Sequence, residues 1–593
     1  MKTESLLLDH YHCTFFLPLI DLPDNLKPER AAYLYPAGTT NETEAQTYHY
    51  FTPVLRDILF ARCPVDDQSR HPRPLQEWHL DEAEIKKLKL YLGKETDKDD
   101  PLLFQKSVFE SVILYRYFNG IYLLSFQVMP EVLQQLQQAQ KALKEKKIAE
   151  LIQTYKEDNN GNEPNEATQE TITQKAGNWL TGENNGLPLF CNNAPATAEQ
   201  ALFQCPVECA DYAQLQLEAW LRFTRLARLL YPSFAEQNQE NKIAPLHLYQ
   251  DEKKIATAFN QTTRKLCIPH QPGEKLSPVV RKLLSFFFTE EIHNKLNNNT
   301  SFYDDRLYVS VAYGLTEKKL PAKQLKRIFS LALYVDRHSD TWGELDDHVY
   351  TPDIIKPKVA QHSMQLWEGL GGHFGYTGYS NAALYSGEFF RDIIAPIHIP
   401  ALYNRMLVQA LFYQASLRYY DKEICNETDE ILKENTLSKI RQQRKEFIRF
   451  TNQYWFHNLT EQLQGKEIFR LQQEALELQA HYDIIKDELE RTDEYLHTEH
   501  EIRVSEISTL FTRWGLVIAF VALYYAALPM IFDYSKEMQG VSLWKLLEYQ
   551  MVSLNVPQGA QSLLGAGLIL LGIPCIITIT VLGIKKMRGW IKT

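Results

Sequence analysis

The spacing of apolar positions changes several times along this chain of 593 residues, and each change predicts an element. The longest apolar runs come last. Trp514 to Phe532 is uncharged between Arg513 and Asp533. As a helix rising 1.5 Å per residue it would be about 28 Å long, enough for a hydrocarbon core of roughly 30 Å. A second apolar run covers Leu563 to Ile584. Pro529 and Pro574 fall inside the two runs; spanning helices accept proline when neighbours satisfy the freed carbonyl. Ahead of the first run, Ile468, Leu471, Ala475, Leu478, Tyr482, Ile485 and Leu489 step by three and four, the pattern of a coiled-coil seam. Leu496 keeps register, and a slip through His500 to Val504, Ile507, Phe511 and Trp514 reads as a stutter.

Upstream the pattern is that of α/β protein. His10 to Leu19 is aromatic and partly β-branched, which predicts a first strand. Thr40 to Arg62 reads as helix, with a capping box from Thr39 to Glu42 and a break at Pro53. Two apolar strands, Ser111 to Phe118 and Ile121 to Val128, flank Asn119-Gly120 and predict a hairpin with a type I′ turn. Glu131 to Tyr155 is helical; Lys156 to Thr197 is polar and reads as a linker or mobile insertion. Tyr212 to Leu230 is a helix with Leu215, Ala219, Phe223 and Leu226 on one stripe. Asp304 to Gly314 and Ile328 to Val335 read as strands, so one mixed sheet is expected from both halves. Pro400 to Tyr420 and Thr436 to Leu463 are helical.

The fold class is therefore an α/β cytosolic region with a long stalk helix and a two-helix transmembrane hairpin at the C-terminus. The expected divisions are 1–435 for the ligand-sensing α/β region (156–197 being the linker or insertion), 436–513 for the helical stalk and 514–532 for the first span. A loop at 533–562, a second span at 563–584 and a basic tail at 585–593 follow. Lys585, Lys586, Arg588 and Lys592 crowd the tail, whereas the loop offers Lys536 and Lys545 offset by Asp533, Glu537 and Glu548. Basic flanks face the cytosol. The expectation is an inner-membrane, multi-pass protein with both termini cytoplasmic and no signal peptide.

Lys and Arg number 63 against 74 Asp and Glu, a net charge of −11, which excludes a general nucleic-acid binder. The eight cysteines are scattered and read as free thiols in the cytosol; Cys205 and Cys209 are the one close pair, short of a zinc framework. Arg222, Arg225 and Arg228 recur at steps of three and fan over one helix side. They are either a solvated basic face or a grip for an anion, since guanidinium forks match phosphate oxygens. Asp336 to Asp340, with Arg337, would end a strand, either as a plain loop or as a site. Gly369 to Asn381 is glycine-rich and aromatic. It is either a structural turn or a phosphate cradle with Phe374, Tyr376 or Tyr379 stacking on a base. No hydrolase elbow, zinc-protease helix, P-loop or kinase motif occurs, so no enzyme is expected.

This layout, most specifically residues 440–593, resembles the CorA family. The resemblance implies a homo-oligomer, a pentamer in that family, whose first span lines a pore for divalent cations such as Mg²⁺. Phe520, Tyr524, Ala527 and Asp533 would then face the pore. The family's Gly-Met-Asn mouth is missing; the matching stretch reads Ala527-Leu-Pro-Met-Ile-Phe-Asp. The enlarged head and missing motif look more like the CorA-like effectors of type III CRISPR systems. That likeness implies a membrane protein triggered by a nucleotide messenger, an S-adenosylmethionine–AMP conjugate. The alternatives are a constitutive divalent-cation channel and a membrane-anchored enzyme.

Overall fold

A computed structural model describes residues 6–19, 49–59, 75–159 except 101, 162–181, 214–228, 246–257, 277–288, 306–316, 322–335, 352–431 except 388, and 437–537. The chain divides into two compact units. The first holds Met1–Lys422 with Glu446–Ile484, and the second holds Glu423–Lys445 with Ile485–Thr593.

The first unit is built on one mixed sheet of eleven strands. In chain order these are β1 (Leu8–Leu19), β2 (Leu75–His79), β3 (Leu88–Leu92), β4 (Gln105–Tyr117), β5 (Tyr122–Pro130), β6 (Leu246–Gln250), β7 (Lys253–Thr257), β8 (Tyr308–Leu315), β9 (Ser363–Met364), β10 (Gly372–Tyr376) and β11 (Ser380–Ser386). Their spatial order is β7-β6-β3-β4-β5-β1-β8-β11-β10-β9, with β2 also on β4. All pairs are antiparallel except β8 with β11. The strands expected from both halves do share one sheet. β1 sits centrally between β5 and β8, and all but two of its residues are buried.

The helices are α1 (Pro53–Leu59), α2 (Glu131–Asp158), α3 (Glu166–Thr181), α4 (Leu217–Ala227), α5 (Pro278–Ser285), α6 (Ala322–Tyr334), α7 (Pro352–Gln361), a π-helix (Phe390–Tyr403), α8 (Asn404–Ile431), α9 (Leu437–Tyr454), α10 (Leu463–Ala475) and α11 (Leu478–Glu537). They cover both sheet faces. Side chains alternate along a strand, so Tyr11, Cys13 and Phe15 point one way and His10, His12 and Thr14 the other. On the first face Tyr11 packs on Trp220 of α4 at 4.8 Å between ring centres. There Tyr11 and Tyr313 each share a 2.8 Å hydrogen bond with Thr224 Oγ1. On the second face Ser310 Oγ donates to Asn404 Oδ1 at 2.6 Å, and Asn404 Nδ2 donates to Thr14 Oγ1 at 3.2 Å.

Several expectations need correction. Ile328 to Val335 is not a strand but most of α6. Ile328, Phe329, Ala332 and Leu333 are all buried, a spacing of one helical face; a continuous apolar run does not distinguish the two states. The described residues within 156–181 are mostly helical rather than a linker: α2 continues to Asp158, and α3 packs back on it. Their polarity is that of a mostly exposed helical hairpin, and 182–197 lies outside the described residues. The β4–β5 hairpin exists, but its turn is not type I′, because Asn119 is not among the residues with positive φ. Gly120 alone takes φ +78°, while its N–H donates to Tyr117 O at 3.0 Å and Tyr117 N–H donates to Ile121 O at 2.8 Å. This is a three-residue loop closed by a left-handed glycine. The break at Pro53 is as expected: residues 49–50 are helical, 51–52 are not, and a new helix starts at Pro53. The capping box at Thr39 to Glu42 lies outside the described residues.

The seam ahead of the first apolar run is likewise divided. Glu477 has φ +53° and separates α10 from α11, so Ile468 and Leu471 belong to a different helix from Leu478. Ile468, Leu471, Leu478, Ile485 and Leu489 are buried within this one chain. In the second unit, Arg444 of α9 pairs with Asp493 of α11.

Candidate functional site

The most concentrated polar chemistry among the described residues lies on the second face of the sheet, where two β-bulges each deliver an acid. In β1 the register shifts between Leu8 and His10, so Asp9 is the extra residue. In β4 it shifts between Phe109 and Ser111, so Glu110 is extra. Bulges re-aim side chains and recur beside functional sites. Asp9 Oδ1 occupies the space that a side chain on Gly314 would need, beside Tyr385. Glu110 Oε2 lies 2.6 Å from His12 Nδ1.

His10 and His12 share a face by strand alternation, and their rings meet edge to face at 4.4 Å. Gln127 Nε2 donates to Glu110 Oε2 at 2.7 Å. The same carboxylate oxygen lies 2.6 Å from His12 Nδ1 and Gln127 Nε2 is 2.9 Å from that nitrogen, so Nδ1 is engaged and His12 Nε2 is turned away from the acid. His10, Gly314 and Tyr385 form one row across β1, β8 and β11, with the His10 and Tyr385 rings 6.1 Å apart. His10 Nε2 and Tyr385 Oη are both buried without a hydrogen-bond partner. Burial holds the His10 imidazole well below its usual pKa, reinforced by His12 and Arg391. Burial pushes the Tyr385 phenol well up; Asp9 adds to this and Arg391 opposes it. His10 is therefore a neutral imidazole and Tyr385 a neutral phenol at neutral pH. From the sequence His10 and His12 read only as part of the first strand, and nothing in it announced the bulges.

The residues singled out from the sequence are dispersed. Arg222 is buried, and its Nη1 donates to Leu103 O at 3.3 Å and lies 3.4 Å from Gln105 Oε1. Arg228 is 1% exposed and lies over the Tyr379 ring at 4.7 Å. These two guanidinium groups end on different partners, so the three arginines do not form a fanned basic face; Arg225 is half-buried between them. Phe374 and Tyr376 are core residues at 3% exposure, which removes them from an open base-stacking surface. The glycine-rich stretch is a strand hairpin. Gly372 faces the Phe390 ring, and a Cβ on Gly375 would approach Phe329 and Leu333 within 2.8–2.9 Å. These glycines admit close packing rather than a phosphate. Gly372→Ala is expected to destabilise the first unit by about 1–3 kcal/mol through overpacking, seen as a lowered urea midpoint. Arg337 lies outside the described residues.

Of the proposed pore residues, Phe520 is 68% exposed on α11; Tyr524, Ala527 and Asp533 are also helical, since α11 runs to Glu537. Residues 533–537 therefore extend that helix instead of opening a loop. Glu501–Leu523 is long and apolar enough to cross a membrane, and none of it is buried. The second span and the basic tail lie outside the described residues. No protein-family model, curated protein or solved structure matches this chain.

Proposed function

We propose that this chain is a ligand-gated, CorA-like membrane effector, with the α/β unit as sensor and α11 continuing into the bilayer. One observation carries the reading: the apolar part of a 60-residue helix has no cover among the described residues. Leu516, Ile518, Phe520 and Leu523 are each more than half exposed, and a run of large apolar side chains of this kind marks a lipid or protein contact. Lipid suits Glu501–Leu523 because its length and composition meet the requirement for a span. The second apolar run, Leu563 to Ile584, would return the chain, leaving both termini cytoplasmic. In the homo-oligomer the first span would line the pore.

The trigger in this reading is a small nucleotide messenger of the S-adenosylmethionine–AMP type, bound in the α/β unit. It opens the membrane only to the extent that it binds the open state more tightly than the closed one. Purified protein in dye-loaded liposomes tests the proposal. The expected result is leakage that depends on the conjugate and is absent with AMP or S-adenosylmethionine alone. Leakage that ignores every nucleotide but follows Mg²⁺ would establish the divalent-cation channel instead.

A further inference from the structure

We propose that His10 and His12, with Tyr385 as third donor, form a binding site for a divalent transition metal such as Zn²⁺. The site lies within the first unit and is independent of the membrane reading. Two imidazoles lie on one strand face with their rings in contact at 4.4 Å, and the Tyr385 ring is 6.1 Å from that of His10. His12 Nδ1 is engaged by Glu110 at 2.6 Å, and Glu110 is steadied by Gln127 at 2.7 Å. This is how metal-binding histidines are oriented: a carboxylate fixes one ring nitrogen and leaves the other to the metal. His10 Nε2 and Tyr385 Oη are buried with no hydrogen-bond partner, an arrangement that is costly unless something else satisfies them.

The donor set also selects the ion. Among the described residues no group of three or more His, Cys, Asp or Glu side chains is placed to hold a metal; the proposed set has two imidazoles and one phenol oxygen. Two imidazoles and one oxygen suit Zn²⁺, Cu²⁺ or Ni²⁺ rather than Mg²⁺ or Ca²⁺, which take oxygen ligands. Asp9 and Glu110 supply negative charge around the site. Arg391, whose charge acts on both His10 and Tyr385, opposes a cation and sets an upper limit on affinity.

The test uses the full chain in detergent with any histidine tag removed. Metal content is measured by plasma mass spectrometry after dialysis against Zn²⁺, and Co²⁺ is titrated while the visible d–d bands are followed. The expected result is one bound metal per chain with cobalt bands of low coordination number. Tyr385→Phe, which keeps the ring, and Glu110→Gln are each expected to weaken Co²⁺ binding by roughly 10–100-fold. Arg391→Ala is expected to tighten it. Circular dichroism and unfolding midpoints identify the variants that remain folded. Substoichiometric metal in the parent protein would overturn the proposal, as would cobalt bands unchanged in folded Tyr385→Phe and Glu110→Gln.

Discussion

Glu77→Ala is expected to destabilise the first unit by about 3–5 kcal/mol, the usual cost of removing one partner from a buried ion pair. The Glu77 side chain on β2 is fully buried, and its Oε1 lies 2.7 Å from Arg405 Nη1 on α8. Its other oxygen is 3.2 Å from His79 Nε2. Without the carboxylate, the Arg405 guanidinium keeps its bond to Leu59 O at 2.7 Å but loses its counter-charge in a site with little water. Burial alone would raise the Glu77 pKa, yet Arg405 and His79 together bring it below the ordinary carboxylate value. A depressed folded-state pKa means the stabilisation is present above the unfolded value of about 4.3. It is lost as pH falls through the lower folded value. Urea midpoints measured from pH 7 to pH 3 should converge for parent and variant at the acid end. Equal midpoints at pH 7 would show that the pair contributes nothing.

Placing Lys at both Phe520 and Leu523 is expected to abolish stable membrane association. A Lys near the centre of a spanning helix costs roughly 2.5–3.5 kcal/mol on insertion scales, so two should exclude the segment. The parent protein should resist alkaline carbonate extraction, and the double variant should be released or should aggregate. Retention of the variant in the carbonate-resistant pellet would argue that α11 is covered by protein and not by lipid. The same helix carries polar positions at Ser505, Ser508, Thr509 and Thr512, about two to four turns ahead of the substitutions. A Lys outside the apolar stretch provides the control: Glu494→Lys on α11 should leave extraction behaviour unchanged.

Period and turn chemistry made the sheet legible where strands alternate or flank Asn-Gly, as in β1, β4, β5 and β8. Legibility failed at α6 because Ile328-Phe-Ser-Leu-Ala-Leu-Tyr-Val is apolar enough to satisfy either period, and only the packing of Ile328, Phe329, Ala332 and Leu333 decides. The break at Glu477 was hidden for another reason: neither proline nor glycine marks it, and a left-handed glutamate is stabilised by its surroundings, not by its own preference. The arginines of α4 looked alike in sequence, but burial separates them, with Arg222 against the β3–β4 connection and Arg228 against Tyr379. The histidine cluster was not visible: His10 and His12 read only as part of a strand, and Glu110 and Asp9 reach them only because each is surplus to its ladder.

That surplus bears on how the chain tolerates change in length. Deleting Asp9 or Glu110 would remove a residue that opposes no partner, so every cross-strand pairing on either side would survive. Deleting a neighbour such as Val112 would instead invert the pleat beyond it and turn apolar groups toward the wrong layer. Single-codon losses at these two positions are therefore a route by which a lineage would shed the acids while keeping the architecture.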